Sequence, residues 1–275
     1  MAKNCRRLAK SLCNKGQNMS IELIHGDCLE KMKNIESGSI DMILADPPYG
    51  TTACKWDSII PFDLMWVQLK RLIKPDGAII LFGSEPFSSA LRMSNIKNFK
   101  YDWIWDKKRI TNPMMAKKQP LRQHEVLSVF YSNQPTYNPQ PYLKNTVGLM
   151  SNKNLNKTHK TETQGNSKLI ATGNKNKFGY PRTLLTQIPV MNNLSKDKAG
   201  LHPTQKPVGL MEYLIKTYTN SSETVLDFTM GSGSTGVACK ILDRDFIGIE
   251  LDEKYFNIAK ERITKKCTGH KKPCR

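Results

Sequence analysis

The chain has 275 residues, 24% of them charged, and its excess of basic side chains gives a formal net charge of +18. That length buries one large core with room for an inserted lobe, and that charge points to a polyanion, nucleic acid ahead of an anionic membrane face. Seven cysteines without a CxxC pair argue against a disulfide framework or zinc site, and no apolar run reaches membrane-spanning length, so a soluble cytoplasmic protein with reduced thiols is predicted.

The first 18 residues carry five Lys/Arg but no apolar h-region, so they do not form a signal peptide. Residues 1–20 read as a flexible basic arm, and Met19 is an alternative start. Ile21-Glu22-Leu23-Ile24-His25 alternates and ends in Gly26-Asp27, a strand with an acid at its carboxyl tip. Leu29 to Ile35 has helical spacing. The run Met42 to Ala45 has the pattern of a short buried strand of a parallel sheet. Phe62, Met65, Trp66, Leu69, Leu72 and Ile73 recur at three and four, so residues 62–73 read as a helix covering the sheet. Lys74-Pro75-Asp76-Gly77 is a predicted turn and Ala78 to Gly83 a fully buried strand. A helix near 86–95, a strand from Tyr101 to Trp105 and another from Val126 to Tyr131 follow.

From 132 to 200 the character changes. This window holds ten Lys/Arg against Glu162 and Asp197, many asparagines and little periodicity. It reads as an insert of loops and short elements with a binding function. Afterwards Leu210, Met211, Leu214, Ile215 and Tyr218 mark an amphipathic helix. A strand from Thr224 to Phe228, a glycine-rich turn from Thr229 to Gly236, a helix to Leu242, a strand from Phe246 to Glu250 and a helix over 253–266 complete the pattern, with a basic tail at 267–275. Strands alternating with helices predict an α/β, doubly wound, mostly parallel sheet.

Two stretches carry chemistry. Asp46-Pro47-Pro48-Tyr49 follows a buried strand, the end at which open α/β sheets bind ligands. Each proline fixes φ and offers a carbonyl without an N–H, so a carboxylate, free acceptors and an aromatic face are held together. A planar amine could stack on Tyr49 with its N–H groups at Asp46 and the Pro47 carbonyl; a Pro-rich turn with a packed tyrosine fits the same residues. The second stretch is strand, glycine-rich turn, helix, strand and Glu250, a nucleoside-binding arrangement. The glycines let a ligand approach the backbone, and Glu250 suits two ribose hydroxyls. A Gly-Ser-Gly turn alone also fits a dinucleotide, but Asp227 ahead of it favours a cationic ligand over a pyrophosphate.

Asp46-Pro47-Pro48-Tyr49 and Asp227-Phe228-Thr229-Met230-Gly231-Ser232-Gly233, in that order, resemble the motifs of β-class DNA amino-methyltransferases. Trp105-Asp106-Lys107, His124-Glu125, His202-Pro203-Thr204-Gln205-Lys206-Pro207 and Phe246-Ile247-Gly248-Ile249-Glu250 extend the resemblance over about residues 21–135 and 200–265. It implies a seven-stranded, circularly permuted, Rossmann-like methyltransferase sheet with a catalytic half at 21–131, a target-recognition insert at 132–200 and a cofactor-binding half at 201–266. It further implies S-adenosylmethionine as cofactor, no metal, double-stranded DNA as partner, a restriction–modification setting and room for a homodimer. Asp rather than Ser at the first catalytic position leans toward the N6 amine of a flipped-out adenine. Cytosine N4 is the alternative, and a non-catalytic cofactor-binding DNA protein is a further one.

Carried over residue by residue, the resemblance makes Asp46, Pro47, Pro48 and Tyr49 catalytic. It assigns the cofactor to Asp27, Cys28, Asp46, Thr204, Gln205, Lys206, Asp227, Phe228, Thr229, Gly231, Ser232, Gly233, Thr235, Glu250 and Leu251. Asp27 falls where related folds place the acid that reads the cofactor's adenine amine. Thr229 departs from the aromatic residue of many relatives, which loosens packing beside the cofactor. Lys107, Lys108, Arg109, Lys117, Lys118 and Arg122 crowd the loop after the 101–105 strand and are expected to meet DNA phosphates. His124 and Glu125 are expected to serve structurally at a strand start, and Trp56, Trp103 and Trp105 as core or pocket wall.

Overall fold

Parallel strands need crossover connections that cover the sheet, and the alternating pattern supplies them. The computed structural model describes residues 19–51, 57–143, 178–186 and 205–265. In chain order these form β1 (Ile21–His25), α1 (Cys28–Met32), β2 (Ile40–Ala45), α2 (Phe62–Leu72), β3 (Ile73–Gly83), α3 (Phe87–Ser94), β4 (Phe99–Asp106) and β5 (His124–Phe130). After β6 (Tyr142–Leu143), β7 (Phe178–Gly179) and β8 (Leu184–Leu185) come α4 (Val208–Tyr218), β9 (Thr224–Asp227), α5 (Ser234–Ile241), β10 (Asp245–Glu250) and α6 (Glu253–Thr264). The expectations for the basic arm up to residue 18, for Trp56, for Thr204, for the tail and for most of the insert lie outside the described residues.

Contacts divide the chain into a main unit, residues 1–138 with 183–275, and a small unit, residues 139–182. The described part of the small unit is an antiparallel ladder in which Tyr142 faces Gly179 and Leu143 faces Phe178. The main unit holds a sheet in the order β1-β10-β9-β2-β3-β5-β4-β8. β5 runs against both of its neighbours, and the remaining pairs are parallel.

β2 shows why the sheet is buried on both faces. Met42 and Leu44 enter one core with α4, α5 and α6, while Ile43 and Ala45 enter the other with α1, α2 and α3. Strand side chains alternate between faces, so four successive apolar residues feed two cores at once. In α2, Met65, Trp66, Leu69 and Leu72 are buried, which is the stripe that spacing of three and four predicts. Burial of a Leu or Met of this kind contributes roughly 1.5–3 kcal/mol.

Two expectations need correction. The sheet has eight strands rather than seven, because β8 leaves the predicted insert and pairs with β4, with Ile104 N donating to Thr183 O at 2.8 Å. Two leucines among turn-forming residues are too short a run to show a period. The predicted turn at Lys74–Gly77 lies inside β3. There Ile40 faces Ile73 while Met42 already faces Ala78, so β3 bulges out by three residues at Pro75, which has no N–H for a ladder.

Candidate active site

All parallel strands end at one edge of the sheet. That edge carries Asp27 after β1, Glu250 on β10, Asp227 on β9 and Asp46 after β2; β5, running backwards, begins there with His124 and Glu125. A cavity of about 680 Å³ opens along this edge. Its walls include the predicted cofactor residues Asp27, Cys28, Asp46, Gln205, Lys206, Asp227, Phe228, Thr229, Gly231, Ser232, Thr235, Glu250 and Leu251, together with Pro47, Pro48 and Tyr49. Two stretches some 180 residues apart thus share one space, since Met42 and Ile43 of β2 pair directly with Val225 and Leu226 of β9.

At the β9 end, Gly231 (φ +52°) and Gly233 (φ +79°) turn the chain through the left-handed region that favours glycine. Gly231 N donates to Glu250 Oε2 at 2.8 Å, and Glu250 Oε1 accepts from Asp252 N at 2.8 Å. Gly233 does not line the cavity. A Cβ there would meet the Ala259 Cβ and Ile263 Cδ1 at 2.9 Å, so its task is to let α6 lie against the turn. Arg262 of α6 donates to Ser232 O and, at 2.9 Å, to Ser232 Oγ. Asp27 caps α1 by accepting from Glu30 N at 3.1 Å. The pairing of His25 with Glu250 makes β1 and β10 neighbours, as the placement of Asp27 required.

Asp227 is 4% exposed and forms no ion pair among the described residues. It accepts from Thr235 Oγ1 at 2.6 Å and from Thr229 N at 3.2 Å. Burial pushes its carboxyl up to about 7, against those hydrogen bonds and with help from Asp46 and Glu250. Thr229 Oγ1 and Ser234 Oγ also line the cavity, buried and without a hydrogen-bond partner among the described residues. Buried polar atoms are normally paired, so this end of the cavity is arranged for a ligand that carries both a cation and hydrogen-bonding groups. Burial also raises the Cys28 thiol to about 12, with Asp27 adding to it.

At the β2 end, Asp57 holds the Asp-Pro-Pro-Tyr loop. Its Oδ1 accepts from Tyr49 N at 2.8 Å and Gly50 N at 2.9 Å, and its Oδ2 from Thr51 N at 2.9 Å. The Tyr49 hydroxyl donates to Asp46 Oδ1 at 2.5 Å, and its ring lies 5.0 Å from that of Phe87. Lys206 Nζ stands 2.7 Å from Asp46 Oδ2 and 3.0 Å from Glu125 Oε2, and Lys107 Nζ stands 2.9 Å from Glu125 Oε1. Burial raises Asp46, and Lys206 opposes that rise. Burial likewise acts against charge on Glu125, but Lys206 and Lys107 outweigh it and hold Glu125 low.

Sequence reasoning missed two of these residues. Glu125 was expected to be structural; because β5 is antiparallel, its first residues land in the site. Asp57 has no motif around it, and only the folded loop brings its carboxylate under three backbone amides. Lys107 is 8% exposed and paired with Glu125, so it belongs to the cavity rather than to the surface.

The other predicted DNA contacts lie on an arm between β4 and β5, closed at its base by Lys107 N to Gln123 O and Thr111 N to Arg122 O. Lys108, Arg109, Lys117, Lys118 and Arg122 are exposed there. Lys108 pairs with Asp106 at 2.6 Å, and Arg122 donates to Ser84 Oγ at 2.7 Å. Trp103 and Trp105 are buried, and Trp105 lines the cavity.

A mostly parallel sheet with a bipartite cavity along its carboxyl edge is the architecture of an α/β methyltransferase. Residues 40–261 match the DNA methylase family of N6/N4 enzymes. The chain belongs to that family and is an S-adenosylmethionine-dependent DNA methyltransferase. It is 29% identical over 272 residues to the Type II methyltransferase M2.LlaDCHI of Lactococcus lactis, covering 90% of each chain. It is 28% identical over 263 residues to the DNA adenine methyltransferase YhdJ of Escherichia coli, covering 90% of this chain and 83% of that one. Among solved structures, the M1.HpyAVI–SAM complex is similar with a TM-score of 0.57 and 28% identity, covering 89% of this chain and 99% of the other. The cytosine-N4-specific PvuII DNA methyltransferase, at 16% identity and a TM-score of 0.62, shares the fold.

Proposed function

We propose that this enzyme methylates the N6 amine of an adenine flipped out of duplex DNA. The observation that carries the proposal is that Asp46 and Tyr49 share one cavity with Asp227, Gly231 and Glu250. An adenine amine has its lone pair delocalised into the ring and lies inside the stack, so it must be extruded into a pocket before reaction. Tyr49 then offers an aromatic face. Asp46 and the Pro47 carbonyl accept the two N–H hydrogens, which frees the nitrogen lone pair, and the Asp46 carboxylate stabilises positive charge developing on nitrogen.

At the other end of the cavity, Asp227 suits the cationic groups of S-adenosylmethionine, Thr229, Ser234 and the start of α5 its carboxylate, Glu250 the ribose hydroxyls, and Asp27 the adenine amine. When bound, that cofactor supplies an electrophilic methyl group on a sulfonium. Asp rather than Ser at position 46 and the similarity to a DNA adenine methyltransferase favour adenine over cytosine. The exposed cations of the arm contact phosphates, and the 132–200 insert reads the target sequence.

Transfer of tritiated methyl to plasmid DNA, followed by digestion and nucleoside chromatography, tests this reading. N6-methyladenine is expected. N4-methylcytosine would overturn the choice of base. Asp46→Ala is expected to bind cofactor and transfer nothing, and normal turnover by that variant would remove Asp46 from the mechanism.

A further inference from the structure

Lys206 matches a motif assigned to the cofactor, yet its ammonium points elsewhere. It sits between Asp46 Oδ2 at 2.7 Å and Glu125 Oε2 at 3.0 Å, 5.0 Å from the centre of the Phe82 ring. Its side chain is 10% exposed, and that of Glu125 15%. Glu125 is held on its other oxygen by Lys107. With Tyr49 on Asp46 Oδ1, each carboxylate oxygen of the proposed amine acceptor holds one partner and keeps a second lone pair for a target amine.

Asp46, Lys206, Glu125 and Lys107 are two acids and two bases, so the cluster is neutral as a whole. Lys206 touches both carboxylates at once and Lys107 the second of them, so neither acid is left without a cation.

We propose that Lys206 is the counter-ion that keeps Asp46 an ionised acceptor for N–H groups, and that Glu125, itself held by Lys107, positions the ammonium there. It is a positioning residue, and the inference rests on Asp46 being the amine acceptor. Asp46 is faced by Tyr49 from its own loop, Lys206 from the segment before α4, Glu125 from the start of β5 and Asp227 from β9, with Lys107 behind Glu125. Burial and the two acids favour protonation of Asp46; Lys206 is the one cation among these that touches it.

The test is the pH profile of kcat/KM for DNA in the intact enzyme, for wild type, Lys206→Met, Lys206→Arg and Glu125→Gln. Cofactor affinity is measured calorimetrically and folding by thermal unfolding. The acid limb reports the free enzyme's essential base. Lys206→Met is expected to move it up by about one pH unit or more, the effect of losing an opposite charge at this distance, which is a loss of about tenfold below that limb. Lys206→Arg restores it. Glu125→Gln moves the limb down, because a repelling anion is gone.

Limbs that stay in place, or that move together in both variants, overturn the proposal. So does a Lys206→Met variant whose only defect is cofactor affinity. If Lys206→Met does not fold, the opposite shift in Glu125→Gln decides the matter. Asp46→Ala separates the two levels: turnover in that variant sinks the reading of Asp46 itself, whereas an inactive Asp46→Ala with unmoved limbs sinks only the role of Lys206.

Discussion

Replacing Asp227 by Asn is expected to stabilise the cofactor-free enzyme at alkaline pH while weakening its hold on the cofactor. Asp227 is buried, has no ion-pair partner among the described residues and titrates near 7 in the folded chain, against 3.8 for the unpaired group. The folded state therefore binds a proton that the unfolded state has released between those two values. Stability falls as pH rises through that window, and the loss is complete above the folded value. Just over three pH units correspond to about 4 kcal/mol.

An Asn side chain fits the same contacts. Its carbonyl accepts from Thr229 N, and its amide donates to Thr235 Oγ1 once that hydroxyl turns. Up to about 4 kcal/mol should thus return at pH 8.5 and close to none at pH 4, a melting difference on the order of 10 °C at the alkaline end for a chain of this size. Thermal melts of both proteins from pH 4 to 9 without cofactor, followed by calorimetric titration with it, check both halves. Parallel pH–stability curves would refute the claim that Asp227 is an uncompensated buried acid. Unchanged cofactor affinity would refute the claim that its charge is kept for the ligand.

Asp57→Ala leaves three backbone amides of the 49–51 loop without their acceptor. A loss of about 3 kcal/mol is expected in urea titrations, with faster proteolysis of that loop. Lys117→Gln and Lys118→Gln should each weaken DNA binding across sequences and reduce the salt slope by about 1, whereas Lys107→Gln should leave the slope alone and impair the site. A salt titration of duplex binding distinguishes them. Cys28, held up to about 12 by burial and Asp27, should resist iodoacetamide at pH 8 when followed by peptide mass spectrometry, since the thiolate is the reactive form. Rapid labelling at that position would contradict the raised thiol of this half-buried residue.

Local pattern determined much of this protein. Four successive apolar residues at Met42–Ala45, the spacing of Met65, Trp66, Leu69 and Leu72, and the glycine-rich turn at 231–233 each specify their element through near neighbours alone, because strand and helix periods are short-range. The acids that end β1, β2, β9 and β10 could be named for the same reason.

The tertiary structure alone decided what those residues do to one another. β2 and β9 are paired across some 180 residues, which joins two motifs into one cavity. The reversal of β5 brings Glu125 to Lys206, and Lys206 to Asp46. No period in the chain encodes such contacts: an ion pair depends on distance in space, and strand order is settled only when whole faces are buried together.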